Sequence, residues 1–251
     1  MKQNDTKIHG SFLSVIVYDG KIHARTASAI IQGFAAGLWR GYMFPGGDGI
    51  SRARNHAAAH FLTKTNAEYH EFIDSDILFD NSAIARLRMH GARDIVVGIY
   101  PAKTEKIRCI YNSLPEGNPD PDANGLMEIA YGGTGFMRIH RSVYERMMAA
   151  HPDLAYACDI DNDTKWDFFG MGVGNDPVTG TRRYLTEDWQ FCARARTLGC
   201  RVWADTRIDL NHIGTVSFPL QSEIERLELV QENKRLREKN AELRGQLPSD
   251  S

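Results

Sequence analysis

Strand-like and helix-like segments alternate along the N-terminal part of this 251-residue chain. Apolar runs at residues 12–18, 42–44 and 95–100 have the composition of β-strands, whereas 26–38, 51–62 and 82–90 have helical spacing. This alternation predicts an α/β fold with a mainly parallel central sheet flanked by helices. Ligands of such sheets bind beyond the carboxyl ends of the strands, so functional residues are expected at that edge.

Two carboxylates, Asp74 and Asp76, interrupt an otherwise apolar run at residues 72–79. Packing alone does not call for two acids in such a run, because an unpaired ionised carboxylate is costly to bury. In an extended segment, residues i and i+2 point to the same side, so both carboxylates can converge on one hard cation such as Mg²⁺ or Mn²⁺. The ordinary alternative is a polar loop at the end of a strand.

A second acidic pair, Glu187 and Asp188, directly follows Thr186, which is a plausible N-cap of a helix. Acids in a first helical turn commonly compensate the helix dipole, and this ordinary role stays open. Further on, His212 lies beside a short apolar stretch, where a single histidine is usually structural. Three glycines at 132, 133 and 135 permit either tight backbone geometry or the close approach of a substrate.

Composition narrows the function classes. A net charge of −2 provides no global basic field for nucleic acid, although it leaves room for a local basic groove. We expect a cytoplasmic protein without a membrane span, because the chain contains neither the apolar core of a signal peptide nor a stretch of about twenty apolar residues. The four cysteines lack the close paired spacing of a zinc site, so reduced thiols are expected.

Taken in order, these motifs resemble the GT-A glycosyltransferases, particularly glycosyltransferase family two and its phage and bacterial relatives. The resemblance spans roughly residues 12–218 and implies a GT-A domain over 1–219, in which a nucleotide-sugar-binding half precedes an acceptor-binding half. The matching segments are Ser51-Arg52-Ala53-Arg54-Asn55, Phe72-Ile73-Asp74-Ser75-Asp76, Gly133-Thr134-Gly135-Phe136, Glu187-Asp188-Trp189-Gln190-Phe191 with Arg194 and Gly199, and His212.

The resemblance implies a metal-dependent transfer of a sugar from a nucleotide-diphosphate sugar to an acceptor hydroxyl. Asp76 would ligate a divalent cation, Mn²⁺ or Mg²⁺, and His212 would be a further metal ligand. Asp74 would contact the ribose or reach the ion through water. Asp188 would be the general base of an inverting reaction, supported by Glu187.

The same resemblance assigns the substrate-binding residues. The donor nucleotide and its diphosphate are expected at Tyr18, Asp19, Asp48, Arg52, Arg54 and Asp74. The acceptor is expected at Gly133, Thr134, Trp166 and Asp167. The identity of the acceptor stays open between a polysaccharide, a protein, a small molecule and a modified DNA base.

Two other functions remain as alternatives. A nucleotidyltransferase would share the nucleotide and metal site but direct the attack at phosphorus. A catalytically silent nucleotide-sugar-binding or carbohydrate-binding module, for example a phage component, would bind without turnover.

The C-terminal segment has a separate pattern. Leu229, Leu236 and Leu243 recur every seven residues, with Asn233 and Asn240 between them. This spacing predicts an amphipathic coiled-coil helix over 220–247, followed by a tail at 248–251. Such a helix would either form a homodimer or dock on its own catalytic domain.

Overall fold

The computed structural model describes residues 10–17, 19–39, 41–46, 49–104, 108–214 and 217–219. Tyr18, Asp48 and the predicted C-terminal helix over 220–247 lie outside the described residues. None of the helices in the described ranges is long and apolar enough to cross a membrane.

The described elements alternate as the sequence pattern predicts. The helices are α1 (Ala24–Ala35), α2 (Ile50–Lys64), α3 (Asn81–Met89), α4 (Arg141–Ala150) and α5 (Glu187–Thr197), with a 3₁₀ turn at Pro152–Leu154. The strands are β1 (Ser11–Ile16), β2 (Tyr42–Met43), β3 (Tyr69–Asp74), β4 (Ile77–Leu78), β5 (Ile95–Gly98), β6 (Tyr111–Asn112), β7 (Leu126–Ile129), β8 (Tyr131–Gly132), β9 (Phe136–His140), β10 (Ala155–Ala157), β11 (Thr164–Trp166), β12 (Gly172–Asn175), β13 (Arg182–Leu185), β14 (Val202–Asp205), β15 (Asn211–Ile213) and β16 (Ser217–Pro219).

Seven of the described strands form the central sheet in the order β2-β1-β3-β9-β5-β14-β7. The strands β1, β2, β3, β5 and β14 run in one direction, and β9 and β7 run antiparallel to their neighbours. The predicted α/β fold with a mainly parallel, helix-flanked sheet is therefore confirmed at this level. The strand β9 lies between β3 and β5 and runs antiparallel to both. Its first residues therefore lie beside the carboxyl ends of β3 and β5.

Both faces of the sheet are covered by hydrophobic clusters. Consecutive residues of β3 belong to different clusters, because successive side chains of a strand point to opposite faces. Phe72 packs with Phe61 and Phe191 on one face, and Ile73 packs on the other face with Phe136. Strands buried on both faces usually read as continuous apolar runs, but β3 carries the buried polar residues His70 and Glu71 before Phe72 and Ile73.

Serine is favoured at helix N-caps, so Ser51 at the start of the 51–62 segment is a natural candidate to cap α2, but it does not. Gly49 occupies the N-cap position with φ +96°, a conformation that favours glycine. Ser51 lies inside the helix, and its hydroxyl donates a hydrogen bond to the carbonyl oxygen of Phe169. The serine therefore ties α2 to the segment after β11 instead of starting the helix.

A buried ion pair stabilises β3 three residues before Asp74. The Glu71 side chain is fully buried and accepts hydrogen bonds from Arg88 Nε and Nη2 at 2.8 Å each, and from Trp39 Nε1 at 2.5 Å. These three donors satisfy a carboxylate that the interior would otherwise disfavour.

We predict that Arg88→Met destabilises the protein by about 3 kcal/mol, because it leaves the Glu71 charge buried without its cation. Adding Glu71→Gln to that variant should recover part of the loss, since the double variant no longer buries a charge. Chemical denaturation of the two variants and the wild type measures the difference. A double variant less stable than Arg88→Met alone would contradict this explanation.

Candidate active site

The carboxyl edge of the sheet brings together Asp74, Tyr100 and Gly135. Asp74 is the last residue of β3, Tyr100 follows β5, and Gly135 precedes β9. The Gly135 N–H donates to the Tyr100 hydroxyl at 2.9 Å, and the Gly135 carbonyl accepts from Asp74 N–H at 2.9 Å. A Cβ at Gly135 would lie 2.5 Å from Tyr100 Oη and 3.0 Å from Asp74 Oδ2. Glycine is needed here because two side chains of the protein itself pack against its backbone.

The guanidinium of Arg54 contacts an acid of each motif, Asp74 and Glu187. Its Nη1 and Nη2 donate to the two carboxylate oxygens of Asp74 at 3.0 and 3.1 Å, and its Nε lies 3.6 Å from Glu187 Oε1. Burial alone would lower the pKa of Arg54, but Asp74 and Glu187 outweigh it, so the pKa of Arg54 lies above its ordinary value. The guanidinium is therefore a permanent positive charge between the two motifs.

The burial of the Arg54 side chain bears on its predicted role. The resemblance implies that Arg54 faces the donor nucleotide or diphosphate, but its side chain is only 2% exposed. The guanidinium is occupied by two carboxylates of the protein. Arg54 is thus a positioning residue in this structure.

Glu187 and Asp188 lie in the first turn of α5, with Thr186 at the N-cap position as predicted. The Thr186 hydroxyl donates to Asp188 Oδ1 at 2.5 Å and makes no capping hydrogen bond, so it orients the carboxylate. Burial raises the pKa of Asp188, and Thr186 and Arg54 offset this only in part. Burial likewise raises the pKa of Glu187 against the opposing charge of Arg54. Both acids hold a proton more tightly than an exposed carboxylate does.

The pairing of β4 with β15 places His212 beside the Asp-Ser-Asp segment. His212 lies opposite Ile77, and its Nε2 is 3.6 Å from Asp76 Oδ1. Its Nδ1 lies 2.9 Å from the carbonyl oxygen of Pro101, which can only accept, so Nδ1 carries a proton. In the neutral ring the Nε2 lone pair therefore faces Asp76, the arrangement that metal-binding histidines use.

The segment around Asp76 is not extended as expected. The strand β3 ends at Asp74, and Ser75 and Asp76 form a turn. As a result the two carboxylates have different partners: Asp74 pairs with Arg54, whereas Asp76 contacts Lys103 and His212. Burial alone would raise the pKa of Asp76, but Lys103 together with the protonated form of His212 outweighs it, so this pKa is lowered.

Asp76 and His212 fit a metal ion only as a two-residue site. Across the described ranges, no group of three or more His, Cys, Asp or Glu side chains is arranged to hold a metal ion. The carboxylate and the Nε2 lone pair are nevertheless suitable donors for Mn²⁺, which accepts both oxygen and imidazole ligands. Further ligands would have to come from a bound diphosphate or from water.

Two further described residues are predicted to bind the donor: Asp19 is exposed and Arg52 is half-buried. Asp19 lies in the turn after β1 and accepts a hydrogen bond from Lys21 N–H at 3.1 Å. The same loop reaches the Asp-Ser-Asp segment, because His23 N–H donates to the Ser75 carbonyl at 2.9 Å. Arg52 forms an ion pair with Asp159.

The residues predicted to bind the acceptor are not brought together. Gly133 and Thr134 are buried, and a Cβ at Gly133 would lie 2.5 Å from Tyr100 Oη. Trp166 borders a groove of about 260 Å³ beside α2. Asp167 borders a separate cleft of about 410 Å³ and accepts a hydrogen bond from the Asn55 amide at 2.8 Å.

The sequence pattern missed two residues of the site, Tyr100 and Lys103. Tyr100 is buried against Asp74 and Gly135, and Lys103 contacts Asp76. Tyr100 is the last residue of the apolar run at 95–100 and Lys103 follows it, at the carboxyl end of a strand where functional residues were expected. The strand order is needed to bring this end of β5 beside Asp74, because β9 separates the two parallel strands.

No protein-family model matches the chain, and no curated protein matches it. Among solved structures, a crystal structure of A197 from STIV resembles it with a TM-score of 0.51 and 14% sequence identity. That match covers 82% of this chain and 86% of the other. At such an identity the likeness concerns the fold alone, and it supports the α/β architecture described above.

We predict that Asp188→Asn raises the free energy of unfolding at neutral pH. The pKa of Asp188 is higher in the folded protein than its ordinary value of 3.8, so the wild-type carboxyl stabilises the fold while protonated. That contribution is lost as the pH rises through the raised pKa, whereas Asn carries no charge and can still accept from Thr186.

Urea denaturation at several pH values measures this difference. The increase in the free energy of unfolding of Asp188→Asn over the wild type should be largest at neutral pH and should shrink as the pH falls toward 3.8. Asp120→Asn, which changes an exposed loop carboxylate, is the matched control. A variant at position 188 that is less stable than the wild type at neutral pH would contradict the prediction.

Proposed function

We propose that this protein is a glycosyltransferase of the GT-A type, which transfers a sugar from a nucleotide-diphosphate sugar to an acceptor hydroxyl. One observation carries the proposal: Arg54 holds the acidic end of β3 and the acidic first turn of α5 at the same edge of the sheet. Two motifs separated by more than a hundred residues thus meet where α/β sheets bind ligands.

In the proposed reaction, Asp188 accepts the proton of the acceptor hydroxyl as its oxygen attacks C1 of the donor sugar. The bond between C1 and the diphosphate oxygen breaks, and the nucleoside diphosphate leaves with inversion at C1. Burial raises the pKa of Asp188, which strengthens it as a base. The Thr186 hydroxyl holds one carboxylate oxygen and leaves the other for the proton.

Asp76 and His212 are the residues that would hold a divalent cation in this reaction. The bound ion would stabilise the negative charge that develops on the departing diphosphate. The proton of His212 Nδ1 is held by Pro101, so the imidazole presents Nε2 toward Asp76 without rearrangement.

The acceptor side of the proposal is assigned to the cleft of about 410 Å³ that Asp167 borders. Asn55, which lies next to Arg54 in α2, donates to Asp167 and borders the same cleft. Tyr156 and Met171 add an aromatic and an apolar surface there. Gly133, which is buried, would shape the site through its close contact with Tyr100, and Thr134 is buried beside it.

A panel of nucleotide sugars incubated with the protein and Mn²⁺ distinguishes the proposed function from its alternatives. Release of a nucleoside diphosphate supports sugar transfer or donor hydrolysis. Release of a sugar 1-phosphate, the leaving group when the α-phosphorus of the nucleotide sugar is attacked, indicates nucleotidyl transfer. Binding of a donor without turnover, measured by calorimetry, would favour a silent binding module.

We predict that Asp188→Asn lowers the rate of turnover by about 10²–10⁴-fold, the usual contribution of a positioned general base. Donor affinity should stay near that of the wild type, because Asp188 contacts the reacting hydroxyl and not the nucleotide. Asp120→Asn is again the control and should turn over normally. If the Asp188 variant turns over within a few-fold of the wild type, Asp188 is not the general base and only compensates the dipole of α5.

We also predict that Asp76→Ala abolishes the Mn²⁺ dependence of donor binding, because it removes the carboxylate of the two-residue site. Calorimetric titration of a nucleoside diphosphate with and without Mn²⁺ measures this dependence. Asp209→Asn, which alters an exposed carboxylate after β14, should leave it unchanged. Metal-dependent binding that survives in Asp76→Ala would refute the assignment.

A further inference from the structure

The carboxylate of Asp76 already has a cation beside it. Lys103 Nζ contacts Asp76 Oδ2, while Oδ1 faces His212 Nε2 at 3.6 Å. Both partners of the lysine contact are about a third exposed, at 34% for each side chain. A divalent ion bound by Asp76 would lie close to the Lys103 ammonium group, because both contact the same carboxylate. The two positive charges would repel each other.

Among the described residues, the two cations of the site, Arg54 and Lys103, differ in how firmly they are held. Arg54 is 2% exposed and bonded to both oxygens of Asp74, so it cannot leave without uncovering buried carboxylates. Lys103 is partly exposed on a flexible four-carbon stem, and an exposed ion pair is worth only about 0–1 kcal/mol. Lys103 is thus the cation that another charge can displace.

The backbone near Lys103 is anchored although its side chain is displaceable. The Pro101 carbonyl accepts from His212 Nδ1 at 2.9 Å, and Ala102 N–H donates to the Arg108 carbonyl at 2.7 Å. The ammonium group can therefore swing away from Asp76 while its Cα stays beside the site. An anionic diphosphate bound there would be within the reach of a lysine side chain.

We propose that Lys103 is a resident counter-cation of Asp76, which a divalent ion displaces and which then binds the diphosphate of the donor. This inference rests on the proposed function, since it assigns the occupant of the same site. In the ligand-free protein, Lys103 neutralises Asp76. In the loaded protein, the ion takes its place at Asp76 and the ammonium group pairs with a phosphate oxygen.

The exchange predicts opposite effects of one substitution on two ligands. Lys103→Met keeps the length and apolar stem of the side chain but removes the charge. Mn²⁺ alone should bind about fivefold more tightly to this variant, because an exposed competing ion pair of up to about 1 kcal/mol is gone. At saturating Mn²⁺, UDP and GDP should bind about tenfold more weakly, because a charge-assisted contact is lost.

Calorimetric titrations of the full chain with Mn²⁺, and then with each nucleoside diphosphate, measure both affinities without any need for turnover. Lys103→Arg retains the charge and should bind Mn²⁺ as the wild type does. Lys64→Met removes an exposed lysine, which pairs with Asp163 at 3.8 Å, and should change neither affinity. Circular dichroism checks that each variant is folded.

The outcomes separate this inference from the function on which it rests. Tighter Mn²⁺ binding together with weaker diphosphate binding in Lys103→Met supports the exchange. If the wild type binds both ligands and Lys103→Met binds Mn²⁺ no more tightly, the exchange is refuted while the proposed function stands. If the wild type binds neither Mn²⁺ nor a nucleoside diphosphate, both are refuted together.

Discussion

The buried guanidinium of Arg54 is the interaction on which the rest of the candidate site depends. It is the shared partner of Asp74 and Glu187, which belong to a strand and a helix far apart in the chain. Two carboxylates at this edge would repel each other and would be costly to desolvate without a cation between them. Because Arg54 neutralises part of this charge, several carboxylates can lie close together in a partly buried site. Burial in that site raises the pKa of Asp188.

The other half of the site depends on strand pairing instead of charge. His212 reaches Asp76 because β15 pairs with β4, which directly follows the Ser75-Asp76 turn. The Pro101 carbonyl then holds the imidazole in one orientation through Nδ1. The metal-binding proposal therefore rests on two features: the backbone orients His212 Nε2 toward Asp76, and the Asp76 carboxylate already pairs with Lys103.

The elements of the fold could be predicted well where local pattern decides them. The bounds of β1 and α3 lie within a few residues of the patterns at 12–18 and 82–90. All six residues of β1 are buried in the sheet, which leaves a nearly continuous apolar run in the sequence. The capping of α2 could not be predicted in the same way, because the Ser51 hydroxyl is used by the Phe169 carbonyl, a partner far along the chain.

The sequence by itself determined the types of elements, the acidic motifs and the edge of the sheet where they should lie. The spacing of hydrophobic residues and the local composition predict these features, because they reflect which side chains each helix or strand buries. Only the tertiary structure decided that Asp74 and Asp76 have different partners, that Arg54 is buried between two acids, and that Tyr100 and Lys103 belong to the site. These facts follow from the insertion of β9 and from the turn at Ser75, which depend on contacts between distant segments and leave no local periodic signal.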